Sequence, residues 1–379
     1  MKFLIDENIP YADEFFAALG EVVRFPGREL KPEQLIDADI LLVRSITKVN
    51  QTLLSQANKL KFVGTATIGE DHIDKPLLQE KGIAFSSAPG CNAVSVAEYI
   101  ISALYVLAEK YQFNLVDKTL GIVGVGNIGK TLEHKAKALG FRILLCDPVR
   151  AETENSDEFI ELDNLLTQSD IVTFHTPLTK AGSHSTYHLL NEHNIGLLKD
   201  DVILMNASRG EVIDNSMLLT EVKRRSSLNI PAIKLVLDVW ENEPNPLAAL
   251  IEHCDIASAH IAGYSLEGKA RGTEMLYAQV CQLLNIETKQ QLVNLLPKHD
   301  ISELNYNQPP ESQKAFKAIC HLIYDVRRDD ALFRQQLNAK GFDWLRKNYP
   351  QRREWSSVSL KINASDQVFR KYLQLGFDV

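Results

Sequence analysis

Cysteine is scarce in this chain: five residues among 379, none in a C-x-x-C pair. Cys91, Cys146, Cys254, Cys281 and Cys320 therefore provide neither a structural zinc site nor a disulfide framework, and they fit a reduced, cytoplasmic chain. Positive charge is short as well. With 41 Lys and Arg against 49 Asp and Glu the net charge is −8, which argues against non-specific attachment to nucleic acid or to an acidic membrane surface. A local basic pocket for an anionic ligand remains open. Long apolar runs are missing too. The richest stretch, near residues 93 to 108, carries Glu98 and several serines and is shorter than the ~20 residues of a membrane span. The opening Met-Lys-Phe-Leu-Ile-Asp-Glu-Asn sets two acids where an export signal is apolar. The expectation is a soluble chain with no membrane and no nucleic-acid partner.

What is present is ordinary globular material, 45% hydrophobic and 24% charged. Its length exceeds what one core holds, so two or three domains are expected. Short apolar runs at Lys2 to Ile5, Ile40 to Val43, Phe62 to Gly64 and Ile83 to Phe85 alternate with helical stretches, the rhythm of a parallel sheet flanked by helices. A long helix follows from about Val94 to Tyr111, and further strands are expected at Ile171 to His175, Val202 to Asn206, Leu235 to Val239 and Ile256 to Ser258. After Glu287 the chain turns polar, with Pro297, Pro309 and Pro310. The expected fold class is α/β. Residues 1–93 with 264–285 form a substrate-binding domain and residues 94–263 a Rossmann domain, both on parallel sheets with a cleft between them. Residues 286–379 form a small C-terminal α+β domain.

The most informative block is Leu-Gly-Ile-Val-Gly-Val-Gly-Asn-Ile-Gly-Lys, from residue 120, followed by a helical stretch and a second apolar run ending at Asp147. Gly124, Gly126 and Gly129 have the G-x-G-x-x-G spacing of a dinucleotide site: a tight turn, close approach of pyrophosphate to backbone, and close packing of helix on strand. The helix opening at Asn127 and Ile128 turns unpaired N–H groups toward the phosphates. A carboxylate at Asp147 accepts the ribose hydroxyls and repels a 2′-phosphate, which favours NAD over NADP.

Three polar residues stand at later strand ends: Arg209 in Asn-Ala-Ser-Arg-Gly, Glu243 in Trp-Glu-Asn-Glu-Pro, and His260 in Ser-Ala-His-Ile-Ala-Gly-Tyr. Oxidation of a secondary alcohol needs a base for the hydroxyl proton, and histidine has the suitable pKa. A carboxylate orients the imidazole and favours its charged form. A planar cation with two donors holds a substrate carboxylate. His260, Glu243 and Arg209 fit these roles in turn.

In these contexts the chain resembles the D-isomer-specific 2-hydroxyacid dehydrogenases, over residues 1 to about 285. Further stretches, Val-Arg-Ser-Ile-Thr-Lys-Val, Phe-Val-Gly-Thr-Ala-Thr-Ile-Gly-Glu-Asp-His-Ile-Asp and, in the tail, Tyr-Asp-Val-Arg-Arg-Asp-Asp, resemble one branch of that family. The resemblance implies an NAD-dependent oxidation of a small phosphorylated 2-hydroxy acid by a homodimer assembled through the tail. It also implies that Ser45, Thr67 and Tyr264 contact substrate, and that Thr176, Asp238 and Gly263 line the NAD site. Asp238 also has a reading as a strand-end cap. Thr67 stands where the wider family has glycine, which admits a more polar substrate. Arg44 and Lys48 are the nearest basic residues for a phosphate, with the Arg327-Arg328 and Arg352-Arg353 pairs as further candidates. His184, His188 and His193 are read as surface histidines, since no carboxylate cluster completes a metal shell around them. A dehydrogenase for 3-phosphoglycerate and a non-catalytic NAD-sensing corepressor of the same fold are the alternatives.

Overall fold

The computed structural model describes residues 1–306, 312–363 and 365–379, so Pro309 and Pro310 lie outside the described residues. The chain divides into two compact units, Met1–Asn92 with Ser265–Lys298, and Ala93–Tyr264 with His299–Val379. No helix among the described residues is long and apolar enough to cross a membrane.

The first unit holds a five-stranded parallel sheet, β1 (Lys2–Asp6), β2 (Glu21–Phe25), β3 (Ile40–Val43), β4 (Phe62–Thr65) and β5 (Ala84–Ser86), in the order β2-β1-β3-β4-β5. Four strands match apolar runs in the sequence. The fifth, β2, reads Glu-Val-Val-Arg-Phe and pairs only with β1. An edge strand half in solvent lacks the continuous apolar run that marks a strand buried on both faces. On one face of this sheet the helix Leu266–Leu284, capped by the Ser265 hydroxyl accepting from Gly268 N at 2.8 Å, buries Leu276, Tyr277 and Val280 against Phe3, Phe15 and Phe16.

The second unit holds six parallel strands, β6 (Thr119–Val123), β7 (Arg142–Cys146), β8 (Ile171–Phe174), β9 (Ile203–Asn206), β10 (Lys234–Leu237) and β11 (Cys254–Ala257), ordered β11-β10-β9-β8-β6-β7. Beyond β7 a single parallel bridge joins Leu145 to Phe159, a vestige of the further strand that completes a Rossmann sheet. The direction of strand succession reverses between β6 and β8, and the loops that follow these two strands lie at the switch point where such sheets bind ligands.

The tail adds its own two-stranded parallel sheet, β12 (Glu303–Tyr306) and β13 (Ser359–Ile362). Among the described residues its apolar side chains join an existing core: Phe316, Trp355, Leu360 and Tyr372 share one cluster with Ile100 and Leu104 of the helix Ala93–Tyr111 and Leu132 of the helix Asn127–Leu139. The sequence division at residue 286 differs from this arrangement. Residues 286–298 stay with the first unit, through Leu292, and 299–379 with the second. Composition marks where polarity changes, whereas packing decides which core a segment joins.

One buried ion pair ties tail to Rossmann unit. Lys135 Nζ meets Glu98 Oε1 at 3.4 Å and donates to the Leu375 carbonyl, while Glu98 accepts from Trp355 N at 3.2 Å. Burial pushes the Glu98 carboxyl up to about 7 in spite of Lys135. Removing one partner of a buried pair strands the other charge. Lys135→Met is expected to cost about 3–5 kcal/mol by chemical denaturation, and Glu98→Leu in the same chain to restore part of it.

Candidate active site

The glycine loop follows β6. Gly124 has φ +87, and a Cβ there would stand 2.8 Å from the His175 backbone; one on Gly129 would stand 2.2 Å from Gly124 O. These two glycines serve the fold, the first by a left-handed turn and the second by close packing. Gly126 differs: a Cβ would meet nothing within 4 Å. Gly126 also caps the helix Asn127–Leu139 with no side-chain hydrogen bond, and Gly126 and Asn127 are exposed with Ile128 half-buried. Open space over uncapped helical N–H groups suits a pyrophosphate.

Asp147, after β7, accepts from Val125 N at 2.8 Å and Arg150 N at 3.1 Å, one bond on each oxygen. A carboxylate has about four acceptor positions, so it both braces the glycine loop and retains capacity for ribose hydroxyls. Thr176, after β8, has a buried hydroxyl oxygen with no hydrogen-bond partner, an orphan that a cofactor group at the switch point would satisfy. These residues fit NAD.

The proposed acid–base residues come from the loops after β9, β10 and β11. His260 Nδ1 and Glu243 Oε2 are 2.8 Å apart. Burial by itself would raise the Glu243 carboxyl, but the His260 ring, their hydrogen bond, Arg346 and the Trp240 N–H (3.0 Å) together hold it below the usual carboxylate range. His260 adopts φ +56, a left-handed conformation uncommon outside glycine and frequent at functional sites. Arg209, half-buried, has Nη1 on Ser208 O at 2.8 Å, and its carbonyl accepts from Asn206 Nδ2 at 2.9 Å.

Asp238 is 1% exposed. Its carboxylate accepts from Ser258 Oγ at 2.6 Å, Ile261 N at 2.8 Å and Ala262 N at 2.9 Å, while its carbonyl accepts from His260 N at 2.6 Å. Shaping the turn that carries His260 is thus a structural task of this residue. Gly263 and Tyr264 follow, both half-buried.

In the first unit Ser45 is exposed and Thr67 half-buried, its Oγ1 2.7 Å from Thr65 Oγ1 and donating to Gly69 O at 3.0 Å. Arg44 is half-buried and charge-coupled to Asp6, whose carboxyl burial pushes up; Lys48 is exposed. Arg352 is committed elsewhere, donating to Ala262 O at 2.9 Å and Ser95 O at 2.5 Å. Arg353 is buried as well, and Arg327 pairs with Asp325.

The reading of His188 needs correction. It lies with Asp214 and Glu241, ligand atoms within 4.8 Å of one another. Both carboxylates come from distant loops, so the group is invisible in linear spacing. The three are already engaged: His188 Nε2 with Glu241 Oε1 at 2.6 Å, Glu241 Oε2 from Asn215 N at 2.8 Å, and Asp214 Oδ1 from Met217 N at 2.9 Å. This network pins the loop carrying Glu243. His193 is exposed, and His184 meets Glu152 at 2.9 Å. Asn206, Asn215, Glu241 and Arg346 went unnoticed in sequence; only Glu241, two residues before Glu243, had a positional hint.

Residues 105–262 match the D-isomer specific 2-hydroxyacid dehydrogenase NAD-binding domain, and residues 295–376 a domain of unknown function, DUF3410. The erythronate-4-phosphate dehydrogenases of Tolumonas auensis and Pseudoalteromonas translucida are 53% and 51% identical to this chain, over 100% of it and 99% and 100% of theirs. The chain belongs to the erythronate-4-phosphate dehydrogenase family. Like the wider group of D-isomer-specific 2-hydroxyacid dehydrogenases, members of this family are NAD-dependent oxidoreductases, and the chain is one too. A solved D-lactate dehydrogenase of Aquifex aeolicus, complexed with NAD and lactic acid, is 25% identical with TM-score 0.61, covering 75% of this chain and 95% of that one. The NAD-bound 3-phosphoglycerate dehydrogenase of Entamoeba histolytica, 23% identical with TM-score 0.63 over 77% and 98%, shares the fold.

The glycines make a paired prediction. Gly126→Val leaves the fold intact, with an unchanged melting temperature, but weakens NAD roughly tenfold or more by filling the pyrophosphate approach. Gly129→Ala lowers the melting temperature itself, because its Cβ meets the Gly124 carbonyl at 2.2 Å.

Proposed function

We propose that this chain oxidises the C2 hydroxyl of erythronate 4-phosphate to 2-oxo-3-hydroxy-4-phosphobutanoate, a step toward pyridoxal phosphate. The observation that carries the reading is the 2.8 Å His260–Glu243 pair in a chain 53% identical to a relative of that name. NAD, when bound, supplies the hydride acceptor. The protein supplies the rest. With Nδ1 engaged by Glu243, His260 Nε2 takes the hydroxyl proton as the C2–H bond breaks, and Glu243 stabilises the imidazolium that results. Arg209 offers a planar fork to the substrate carboxylate and the developing carbonyl oxygen. Gly124, Gly126, Asn127, Ile128, Gly129 and Asp147 hold NAD, with Thr176, Asp238 and Gly263 alongside. Ser45, Thr67 and Tyr264 contact substrate, with Arg44 toward its phosphate.

The same reading divides the chain into a substrate-binding domain, an NAD-binding domain and a tail that pairs two copies into a cytoplasmic homodimer. Exposed Leu322, Trp344, Phe369 and Leu373 on the tail support that pairing, since exposed apolar side chains are buried by association.

Mixing the protein with NAD and erythronate 4-phosphate is expected to give NADH absorbance. Turnover on 3-phosphoglycerate and none on erythronate 4-phosphate would overturn the substrate. His260→Asn is expected to lower kcat by about 10²- to 10⁴-fold with NAD affinity retained; near-normal kcat would remove His260 as the base.

A further inference from the structure

Segment 299–379 lies in the same compact unit as the loops bearing Glu243 and His260, and it touches both. Asp330 Oδ1 accepts from Ala257 N at 2.8 Å, Arg352 Nη1 donates to Ala262 O at 2.9 Å, and Phe333 stacks on Trp240 at 5.7 Å. From the short helix Phe342–Lys347, Arg346 places its guanidinium 5.7 Å from the Tyr264 ring centre, and Tyr349 meets that ring edge-on at 5.9 Å.

Two neighbouring arginines are held mainly by backbone carbonyls, Arg352 by those of Ala262 and Ser95 and Arg334 by those of Ile251 and Cys254, with Asp330 on the Arg334 Nε. Arg346 Nε, like Arg352 Nε, is buried with no hydrogen-bond partner, an arrangement that costs free energy. Arg346 differs in what it faces. Its guanidinium lies against the Tyr264 ring, and the carboxylates of Glu243 and Asp238 add to the groups that raise its pKa.

We propose that Arg346, supplied by the C-terminal segment, is a positioning residue of the active site: it holds Tyr264 in place and lends its positive charge to the Glu243–His260 pair. The inference rests on the reading of Glu243 and His260 given above. The groups that act on Glu243 are the His260 ring, the Trp240 N–H and Arg346, and those that act on Arg346 include Tyr264, Glu243 and Asp238. Burial alone would lower the Arg346 pKa; its anionic and phenolic neighbours raise it, so the cation persists. Arg346 in turn helps keep Glu243 below the usual carboxylate range. A segment whose expected task is dimerisation thereby contributes to catalysis in its own chain.

The test compares wild type, Arg346→Met, Arg346→Lys and each exchange combined with Glu243→Gln, assayed with erythronate 4-phosphate and NAD. Arg346→Met is expected to lower kcat about 10- to 100-fold with NAD affinity unchanged. The acidic limb of kcat/KM moves to higher pH, because Glu243 without its cation protonates more readily. Arg346→Lys recovers part of the rate. In the Glu243→Gln background, where no charge remains to hold, the same exchange costs less than about threefold. A wild-type rate with an unmoved acidic limb in Arg346→Met, or an equal loss with and without the Glu243 charge, would overturn the inference. Should Arg346→Met fail to fold, the limb position in Arg346→Lys decides, an unmoved limb counting against it. An inactive wild type would instead refute the reading of the reaction itself.

Discussion

The Asp238 carboxylate makes the interaction on which the turn carrying His260 depends. Sealed from solvent at the end of β10, it binds the hydroxyl of Ser258 and the N–H groups of Ile261 and Ala262, while its own carbonyl takes the N–H of His260. Bonds to an ionised acceptor are roughly twice as strong as neutral ones. Together they hold the turn after β11 closed and His260 in its left-handed conformation, which costs of order 1–3 kcal/mol. Tyr99 extends the network from the helix Ala93–Tyr111, its hydroxyl 2.8 Å from Ser258 Oγ. His260 is thus held in place by buried groups.

Packing fixes the neighbouring loops just as closely. A Cβ on Gly210 would stand 1.9 Å from the Trp240 carbonyl carbon, so the loop carrying Arg209 lies directly against the one carrying Glu243. Asn215 N donates to Glu241, and Glu241 N donates back to Asn215 Oδ1 at 3.2 Å. Arg209 and Glu243 are therefore set in register by the close approach of Gly210 to the Trp240 backbone and by backbone-to-side-chain hydrogen bonds, and the tail braces the same region from Phe333, Asp330 and Arg346. Placement of this kind lowers the reorganisation left for the reacting complex.

Much of this was legible in the sequence. Strands buried on both faces announce themselves as apolar runs, and the glycine block with Asp147 announces a dinucleotide turn, because both signals are local. Less local features were hidden. Strand β2 lies at a half-wetted edge, and the Leu145–Phe159 bridge is too short to leave a pattern. Asp238 carries both a cofactor-contact and a cap reading in the sequence, since the three groups its carboxylate binds lie 20 to 24 residues away. His188 resembled a surface residue until the fold brought Asp214 and Glu241 beside it. Arg346 lies 82 and 103 residues from Tyr264 and Glu243, so no spacing rule connects them.

The central claim is an oxidation at C2 in which NAD takes the hydrogen of that carbon while His260 takes the hydroxyl proton. The most direct measurement uses erythronate 4-phosphate deuterated at C2, with mass analysis of the reduced nucleotide. The account predicts that the deuterium is recovered on the nicotinamide ring, with none released to water. Deuterium appearing in solvent, or unlabelled NADH formed at full rate, would contradict it.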